Sequence, residues 1–304
     1  MLDQASRLRE MAAAYRSQAL AGHGRRTRVI AVTSGKGGVG KTNLSINLGH
    51  ALISAGHEVI LLDADLGLAN ADILLGTVPP YHLGHLLRGE RDIQELIHRT
   101  PGKLKLISGG SGVSELANIP EDRLRFFVAA LRKLDGQADY LILDTGAGLS
   151  HTVQEFVLAA DQVVVVTTPE PTSLADGYAT IKMLAARRPG IDIRLVVNQA
   201  ERPEEATAAA ERIISTARNF LGLQVEYLGT IPRDPIVWQS VRRQVPFIML
   251  YPDAPASRAV QFVAERLMDA RSAGAGAVPE PARNKSGFFD RIAGMFSRRG
   301  SNVG

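Results

Sequence analysis

Residues Ser34-Gly-Lys-Gly-Gly-Val-Gly-Lys-Thr-Asn43 contain the pattern Gly-x4-Gly-Lys-Thr, which is typical of a loop that binds phosphate groups. The glycines let the backbone curve closely around phosphate oxygens, so successive amide groups can point at them. Lys41 adds a positive charge for the outer phosphates, and the Thr42 hydroxyl is placed to bind Mg²⁺. We therefore predict that this loop binds a nucleotide through Gly35, Gly37, Gly38, Val39, Gly40, Lys41, Thr42 and Asn43.

The sequence on either side of the loop supports this interpretation. Residues 28–33 form a β-rich apolar run, and residues 43–54 are apolar at helical spacing. A strand, a glycine loop and a helix in that order place bound phosphates at the helix N-terminus, where the helix dipole favours negative charge.

Similar apolar runs recur along the chain and alternate with helical patterns. Continuous Val, Ile and Leu runs separated by helices indicate a mostly parallel sheet with helices on both faces. We therefore predict an α/β P-loop NTPase fold. The apolar runs lie at 28–33, 58–63, 104–107, 139–143, 162–167, 193–198 and 225–231, and helical patterns lie at 121–134, 172–186 and 203–220.

The composition narrows the class of protein. With 304 residues, 45% of them hydrophobic, the chain can bury a substantial core. It contains no cysteine, which excludes disulfides, thiolate metal sites and iron–sulfur clusters. No apolar run approaches the roughly 18 residues of a membrane span, and the N-terminus lacks the apolar stretch of a secretory signal. We therefore expect a cytoplasmic protein.

Positive charge is concentrated at the two ends of the chain. Residues 1–28 and residues 271–304 each carry an excess of four positive charges, and the segment between them carries an excess of four negative charges. The basic balance therefore does not indicate a nucleic-acid-binding surface on the core, and we expect DNA not to be a partner.

Carboxylates follow two of the apolar runs, where the carboxyl ends of strands place ligands in open α/β sheets. Asp63 and Asp65 lie two residues apart on an extended segment and should point the same way. Asp144 closes a strand in the manner of a Walker B motif, and Gly148 completes Asp-x3-Gly. An aspartate that merely forms a turn or caps a helix is the alternative for the first pair.

The loop carries a second lysine, Lys36, directly after its first glycine. The stretch GKGGVGKT resembles the hallmark of the deviant-Walker MinD and ParA ATPases. That resemblance implies an ATP–Mg²⁺ site in which Lys36 reaches across a homodimer to the partner's nucleotide. It also implies that Lys36, Lys41 and Asp65 are catalytic, with Asp65 positioning the attacking water. Thr42, Asp63 and Asp144 would serve Mg²⁺, largely through water, and Gly148 would belong to switch II.

The same resemblance assigns roles to residues later in the chain. Asn198, Pro232 and Arg233 match positions beside the adenine base in the MinD group, which favours ATP over GTP. Glu170 and Asp176 match the dimer-facing stretch, where such residues meet the signature lysine or the partner. An ordinary helix start with acidic residues in its first turn is the alternative for Glu170 and Asp176.

Near the C-terminus, residues 287–299 form an amphipathic pattern with a basic rim, which is typical of a helix that lies on a membrane. We predict that two copies on a dimer bind anionic lipid of the inner membrane more strongly than one. A helix docked on its own domain or on a partner is the alternative. The predicted membrane residues are Phe288, Phe289, Ile292, Met295 and Phe296.

The N-terminal extension has apolar residues at helical spacing. Its opening resembles the Asp-Gln-Ala-x-x-Leu-Arg motif of the FlhG branch (FleN, YlxH), where this motif engages the signal-recognition-type GTPase FlhF. A helix that simply packs on the ATPase core is the alternative. The residues of the motif here are Asp3, Gln4, Ala5, Leu8 and Arg9.

These patterns divide the chain into an N-terminal helix with linker (1–25), an ATPase domain (26–271), a flexible linker (272–286) and a membrane-targeting helix (287–299). The function implied is a slow ATPase switch that restricts flagellar number and placement, with a flagellar C-ring or transcriptional regulator as a further partner. A MinD-like septum-site regulator and a ParA-like segregation ATPase that binds DNA remain alternatives.

Overall fold

The computed structural model describes residues 26–65, 70–110, 121–146, 151–273 and 287–297. The strands are β1 (Arg28–Thr33), β2 (Val59–Ala64), β3 (His98–Arg99), β4 (Lys105–Ile107), β5 (Tyr140–Thr145), β6 (Gln162–Thr167), β7 (Ile193–Ala200) and β8 (Glu226–Pro232). The helices are α1 (Lys41–Ser54), α2 (Ala71–Leu74), α3 (Leu83–Leu87), α4 (Glu121–Arg132), α5 (His151–Ala159), α6 (Pro171–Arg187), α7 (Pro203–Leu221), α8 (Pro235–Arg243), α9 (Phe247–Leu250), α10 (Pro255–Ala273) and α11 (Phe288–Ser297). Two 3₁₀ turns occupy Ile93–Leu96 and Pro101–Lys103.

The strands form one sheet in the order β3-β4-β2-β5-β1-β6-β7-β8. All neighbouring pairs are parallel except β3 and β4, which are antiparallel. The predicted mostly parallel sheet is confirmed, and each predicted strand lies within two residues of an observed one. The edge strand β3 was not predicted, because two polar residues are too few to show a periodic pattern.

Both faces of the sheet are covered by helices, as its apolar strands require. In β1, Val29 and Ala31 belong to one buried cluster, and Ile30 and Val32 belong to the other. The first cluster includes residues of α3 to α7 and α11, and the second includes residues of α1, α2, α9 and α10. The sheet thus holds the loop after β1 at the carboxyl edge of a rigid layer.

Helix α11 lies against α4 and α5 on the first face of the sheet. Phe288, Phe289 and Ile292 are 1%, 4% and 0% exposed and belong to the core cluster. Outside the core, Nη2 of Arg132 on α4 pairs with Oδ1 of Asp290 at 2.7 Å. The structure therefore places this amphipathic helix on its own domain, which was the alternative reading of its sequence.

The burial of the apolar face of α11 is substantial. Each of its three buried side chains is worth about 1.5–3 kcal/mol before the cost of ordering the helix is subtracted. The ring of Phe288 lies 6.5 Å from that of Phe156, measured between centroids, and 5.0 Å from that of Phe289. No helix in the described ranges is both long enough and apolar enough to cross a membrane.

The structure describes only some of the segment boundaries that were predicted from the sequence. Helix α10 continues to Ala273, two residues beyond the predicted end of the ATPase domain. The remainder of the predicted linker and the whole N-terminal segment 1–25 lie outside the described residues. The division of the chain into functional units therefore stays a prediction.

Candidate nucleotide-binding site

The glycine loop joins the end of β1 to the start of α1, as the sequence predicted. Gly38 and Gly40 have φ angles of 78° and 92°, in the region that favours glycine. Gly40 is the N-cap residue of α1, and no side chain caps the helix there. The free amides at the start of α1 are therefore available to phosphate oxygens.

Two glycines of the loop are required by close neighbours. A Cβ atom on Gly35 would lie 2.1 Å from the backbone oxygen of Asp176, and one on Gly40 would lie 2.3 Å from Nδ2 of Asn198. Residues of β7 and α6 thus lie in close contact with the loop. The absence of side chains at these two positions fixes the shape of the phosphate cradle.

Lys41 begins α1 with its side chain turned back into the loop. It is only 8% exposed, and its Nζ lies 2.9 Å from Oγ of Ser34. Burial lowers the pKa of Lys41, while the negative charges of Asp144 and Asp65 raise it. Ser34 in turn donates to the backbone oxygen of Lys36 at 2.7 Å, so one hydroxyl connects both lysines of the loop.

Asp144 at the end of β5 has the environment expected of a residue that serves Mg²⁺. Ser45 Oγ donates to its Oδ1 at 2.9 Å, and Thr42 lies near enough to lower its pKa. Burial is the larger effect and raises the pKa of Asp144. Its Oδ2 is buried without a hydrogen-bond partner among the described residues. An unsatisfied buried carboxylate oxygen beside a threonine hydroxyl fits a hydrated Mg²⁺ ion, which would neutralise phosphate charge.

Asp63 lies opposite Asp144 in the paired strands, and both of its carboxylate oxygens accept hydrogen bonds from backbone amides. Its Oδ1 accepts from the amide of Asp65 at 3.0 Å, and its Oδ2 accepts from the amides of Asn70 and Ala71 at 3.1 Å. Burial, and next the charge of Asp144, raises the pKa of Asp63. These three hydrogen bonds are typical of the alternative for this residue, an aspartate that forms a turn. Its contribution to the Mg²⁺ shell stays a prediction.

Asp65 lies just beyond β2, beside the chain that leaves β5. A Cβ atom on Gly146 would come within 2.8 Å of Oδ1 of Asp65. The charge of Asp65 also influences the pKa of both Lys41 and Asp144, so the three groups share one region. This placement is compatible with a water-positioning role, which remains a prediction. Gly148 lies outside the described residues.

Lys36 contacts the start of α6 within the same chain. Its Nζ lies 2.6 Å from Oε2 of Glu170 and 3.0 Å from Oγ1 of Thr172. The structure therefore brings Lys36 and Glu170 together within one chain, whereas the sequence predicted that Glu170 meets either the signature lysine or the partner. Asp176, also predicted to face a dimer partner, lines an open cavity of about 230 Å³ together with Ser34 and Gln154.

The residues expected beside adenine lie at the ends of β7 and β8. Asn198 Nδ2 donates to the backbone oxygen of Val39 at 2.7 Å, so this side chain contacts the loop backbone. Pro232 lines a neighbouring cavity of about 400 Å³ with Tyr227 and Thr230. The exposed Arg233 pairs with Glu201 at 2.9 Å. Adenine contact by Asn198, Pro232 and Arg233 stays a prediction.

Four polar residues of the site were missed by sequence reasoning. They hold the predicted residues in place, and they lie beside the predicted motifs or one helical turn away. A search for hydroxyl and amide side chains next to the glycine loop and the strand ends would have found them. These residues are Ser34, Ser45, Thr172 and Gln199, whose Nε2 donates to the backbone oxygen of Gly38 at 3.2 Å.

The terminal residues assigned from resemblance are only partly described. Met295 is partly buried against the same core cluster as the rest of α11. The side chain of Phe296 lies outside the described residues, as do Asp3, Gln4, Ala5, Leu8 and Arg9.

Comparisons with known proteins agree with this geometry. Residues 27–189 match the family described as an AAA domain. The antiactivator FleN of Pseudomonas aeruginosa is 36% identical over 240 residues, which cover 79% of this chain and 86% of FleN. The flagellum site-determining protein YlxH of Helicobacter pylori is 35% identical over 294 residues, which cover 96% of this chain and 98% of YlxH.

Solved structures of similar fold come from the septum site-determining protein MinD. MinD of Pyrococcus horikoshii complexed with Mg-ADP has a TM-score of 0.68 at 25% identity, covering 83% of this chain and 100% of that chain. The MinC:MinD cell division protein complex of Aquifex aeolicus gives a TM-score of 0.66 at 28% identity, covering 84% and 99%. Nucleotide and Mg²⁺ thus occupy a solved member of this fold family.

The sheet order, the glycine loop with its two lysines and these relatives define a P-loop ATPase, an enzyme that hydrolyses ATP. The chain belongs to the MinD/ParA family, and within it to the FlhG branch that includes FleN and YlxH.

Proposed function

We propose that this chain is an ATP- and Mg²⁺-dependent switch that regulates flagellar number and placement at the cytoplasmic face of the inner membrane. With ATP it pairs with a second copy, its α11 binds anionic lipid, and slow hydrolysis returns it to the single state. The observation that carries the proposal is Lys36, a second loop lysine whose Nζ is held at 2.6 Å by Glu170.

The surroundings of Lys36 support pairing through the nucleotide. The loop tip next to it, Gly37 and Gly38, is exposed, so another copy can approach the phosphates there. The ion pair between Lys36 and Glu170 is itself exposed, with side chains 37% and 65% accessible. Exposed ion pairs are weak, so a triphosphate on the partner can compete for the lysine.

Membrane binding requires α11 to leave its position against α4 and α5. The face that would enter lipid is the face now covered by α4 and α5, so one helix cannot satisfy both surfaces at once. Helix α5 follows directly after the segment that contains Gly148, the predicted switch II glycine. We infer that a change at this segment on ATP binding shifts α5 and releases α11.

The flagellar role rests on the relatives. FleN is named an antiactivator and YlxH a flagellum site-determining protein, and both match most of this chain. The Asp-Gln-Ala motif at residues 3–5 supports FlhF as a partner. A C-ring protein or a transcriptional regulator is a further candidate, for which the antiactivator relative is the support.

Two alternatives use the same site. A septum-site regulator would have the same ATPase core, but the N-terminal motif favours the flagellar branch. A segregation ATPase would carry DNA on a basic surface, whereas the segment between the two basic ends carries an excess of four negative charges. Salt-dependent binding of the ATP-loaded protein to nonspecific DNA would favour this second alternative.

Size-exclusion chromatography with ATP tests the switch. The Asp65→Ala variant should bind ATP without turnover and elute as a stable dimer, while Lys36→Ala should bind ATP and remain a monomer. A wild-type chain that stays monomeric at micromolar concentration with a non-hydrolysable ATP analogue would refute the proposal.

A further inference from the structure

The carboxylate of Asp161 contacts arginine side chains from both ends of the described part of the chain. Asp161 lies between α5 and β6, at the edge of the sheet opposite the glycine loop. Its Oδ2 accepts from the amide of Val29 at 2.9 Å, and its own amide donates to the backbone oxygen of Val29 at 2.9 Å. These bonds hold the carboxylate at the start of β1.

The other oxygen of Asp161 faces two arginines. Arg291 of α11 forms an ion pair with Oδ1 through Nη2, and its Nε donates to the backbone oxygen of Ala159 at 2.8 Å. Nη2 of Arg26, the first described residue of the chain, lies 3.6 Å from the same Oδ1. Arg26 thus lies at the carboxylate that anchors α11.

The two chain ends also touch directly. A Cβ atom built on Gly287, the residue before α11, would lie 1.8 Å from Nη2 of Arg26. The Arg26 guanidinium therefore rests against the backbone from which α11 starts. Any movement of Arg26 changes the surroundings of both Asp161 and Gly287.

A third arginine lies near Asp161 and Arg291. Arg188 lies there as well, donating to the backbone oxygens of Leu158 and Ala160 at 2.6 Å and 2.7 Å. Burial lowers the pKa of Arg188, and repulsion from Arg291 lowers it further. The guanidinium groups of Arg188 and Arg291 therefore lie close enough to repel each other, while Asp161 and Asp192 supply negative charge to Arg188.

We propose that Arg26 and Arg291 compete for Asp161, so that Arg26 weakens the docking of α11 while its guanidinium group lies beside Asp161. Displacement of Arg26 from Asp161 would then tighten α11 on the core. Conversely, release of α11 leaves Asp161 to Arg26. By reciprocity each end modulates the other by the same factor. The inference goes beyond the proposed function and requires neither ATP nor lipid.

Hydrogen exchange of the full chain tests this competition. The amides of residues 291–297 report opening of α11. Arg26→Gln removes the competing charge and should slow their exchange by about two- to fivefold, the range for a partly exposed ionic interaction. Arg26→Lys keeps the charge and should leave exchange close to wild type.

A double-mutant cycle separates competition from a general change in stability. In an Arg291→Gln background, Arg26→Gln should no longer slow exchange. Position 291 then carries no positive charge that could compete with Arg26 for Asp161. Arg132→Gln provides the matched control, since Arg132 holds α11 from the α4 side through Asp290. In that background the effect of Arg26→Gln should persist.

Two results of the exchange experiment would contradict the proposed competition. If Arg26→Gln accelerates exchange of α11, Arg26 supports the helix and the competition is wrong. If exchange is unchanged while Asp161→Asn accelerates it, Asp161 anchors α11 alone, and the coupling between the chain ends does not exist.

Discussion

In a single chain, the ammonium group of Lys36 is bound by Glu170 at 2.6 Å and by Thr172 at 3.0 Å. The lysine that is expected to reach a partner's nucleotide therefore already has hydrogen-bond acceptors in its own chain. In the proposed dimer, this exposed ion pair would be exchanged for a contact between Lys36 and a phosphate group. The strength of that dimer would then depend on Glu170, the residue just before α6, which need not touch the nucleotide.

The first prediction follows from this exchange. Glu170→Gln removes the competing carboxylate and should lower the dissociation constant of the ATP dimer about two- to fivefold, because exposed pairs are worth about 0.2–1 kcal/mol. Analytical ultracentrifugation with a non-hydrolysable ATP analogue measures it, with Glu90→Gln as the control at another exposed ion pair, formed with Arg88. Weaker dimerisation in Glu170→Gln would show that Glu170 serves the interface directly.

The second prediction concerns nucleotide binding by Lys41. Lys41→Ala should reduce ATP affinity at least tenfold, since it removes the charge that faces the outer phosphates. Ser34→Ala removes only the hydroxyl that holds Nζ at 2.9 Å, and it should cost about 1 kcal/mol, roughly fivefold in affinity. Fluorescent-nucleotide titration measures both. Lys36→Ala should bind ATP nearly as well as wild type, and a large loss there would place Lys36 in its own site.

The third prediction compares two glycines with almost equal φ angles. Gly40 and Gly56 have φ angles of 92° and 91°, but only a Cβ on Gly40 would meet another atom, Nδ2 of Asn198 at 2.3 Å. Gly56→Ala should cost about 1–2 kcal/mol from backbone conformation alone. Gly40→Ala should cost about 1–3 kcal/mol more because of the clash.

Urea unfolding of the two variants and of Gly40→Ala combined with Asn198→Ala checks this comparison. The second substitution removes the clashing atom, so the combined loss should be smaller than the sum of the separate losses. Strict additivity would mean that Asn198 does not constrain the loop.

The fourth prediction concerns acid stability and His50. Burial lowers the pKa of His50 to about 4, and its Nε2 has no hydrogen-bond partner in the described part of the chain. The unfolded state, with a pKa near 6.5, binds the proton more readily. The stability that neutral His50 contributes is therefore fully present above pH 6.5 and is lost as pH falls from 6.5 towards 4.

At 1.36 kcal/mol per pKa unit, this loss amounts to about 3 kcal/mol by pH 4. His50→Gln removes the proton linkage and should flatten the pH dependence of the free energy of unfolding between pH 6.5 and 4. Urea titrations of both proteins across this range measure the difference. Parallel curves would show that His50 is protonated equally in the folded and unfolded states.

The fifth prediction concerns lipid. Deletion of residues 287–304 should abolish ATP-dependent co-sedimentation with anionic liposomes. Asp290→Asn breaks only the contact with Arg132 and leaves the apolar face intact, so it should bind liposomes at least as well as wild type. Undiminished binding after the deletion would assign membrane association to another part of the chain.

Sequence reasoning reached the fold through features that are local and periodic. Apolar strands such as β5 and β6 are buried on both faces, so their residues form continuous runs that reveal a parallel sheet. The glycine loop was equally visible, because its backbone conformation demands glycine at fixed places. Both depend on neighbours in sequence, which explains why both were predicted.

Contacts between distant parts of the chain were not predictable in this way. Nothing in the sequence around Asp63 distinguishes a metal-side carboxylate from one that binds three backbone amides. The amphipathic pattern of α11 likewise fits lipid and a groove of its own protein equally well, since hydrophobic burial is not directional. The choice depends on the shape that α4 and α5 present, which only the assembled fold determines.

The docked position of α11 has a consequence for how the chain behaves in water. Free amphipathic segments expose aromatic side chains that invite self-association, particularly at high concentration. Here Phe288, Phe289 and Ile292 are stored inside the molecule. Their burial removes an apolar surface that would otherwise favour self-association, so docking of α11 lowers the tendency of the protein to aggregate.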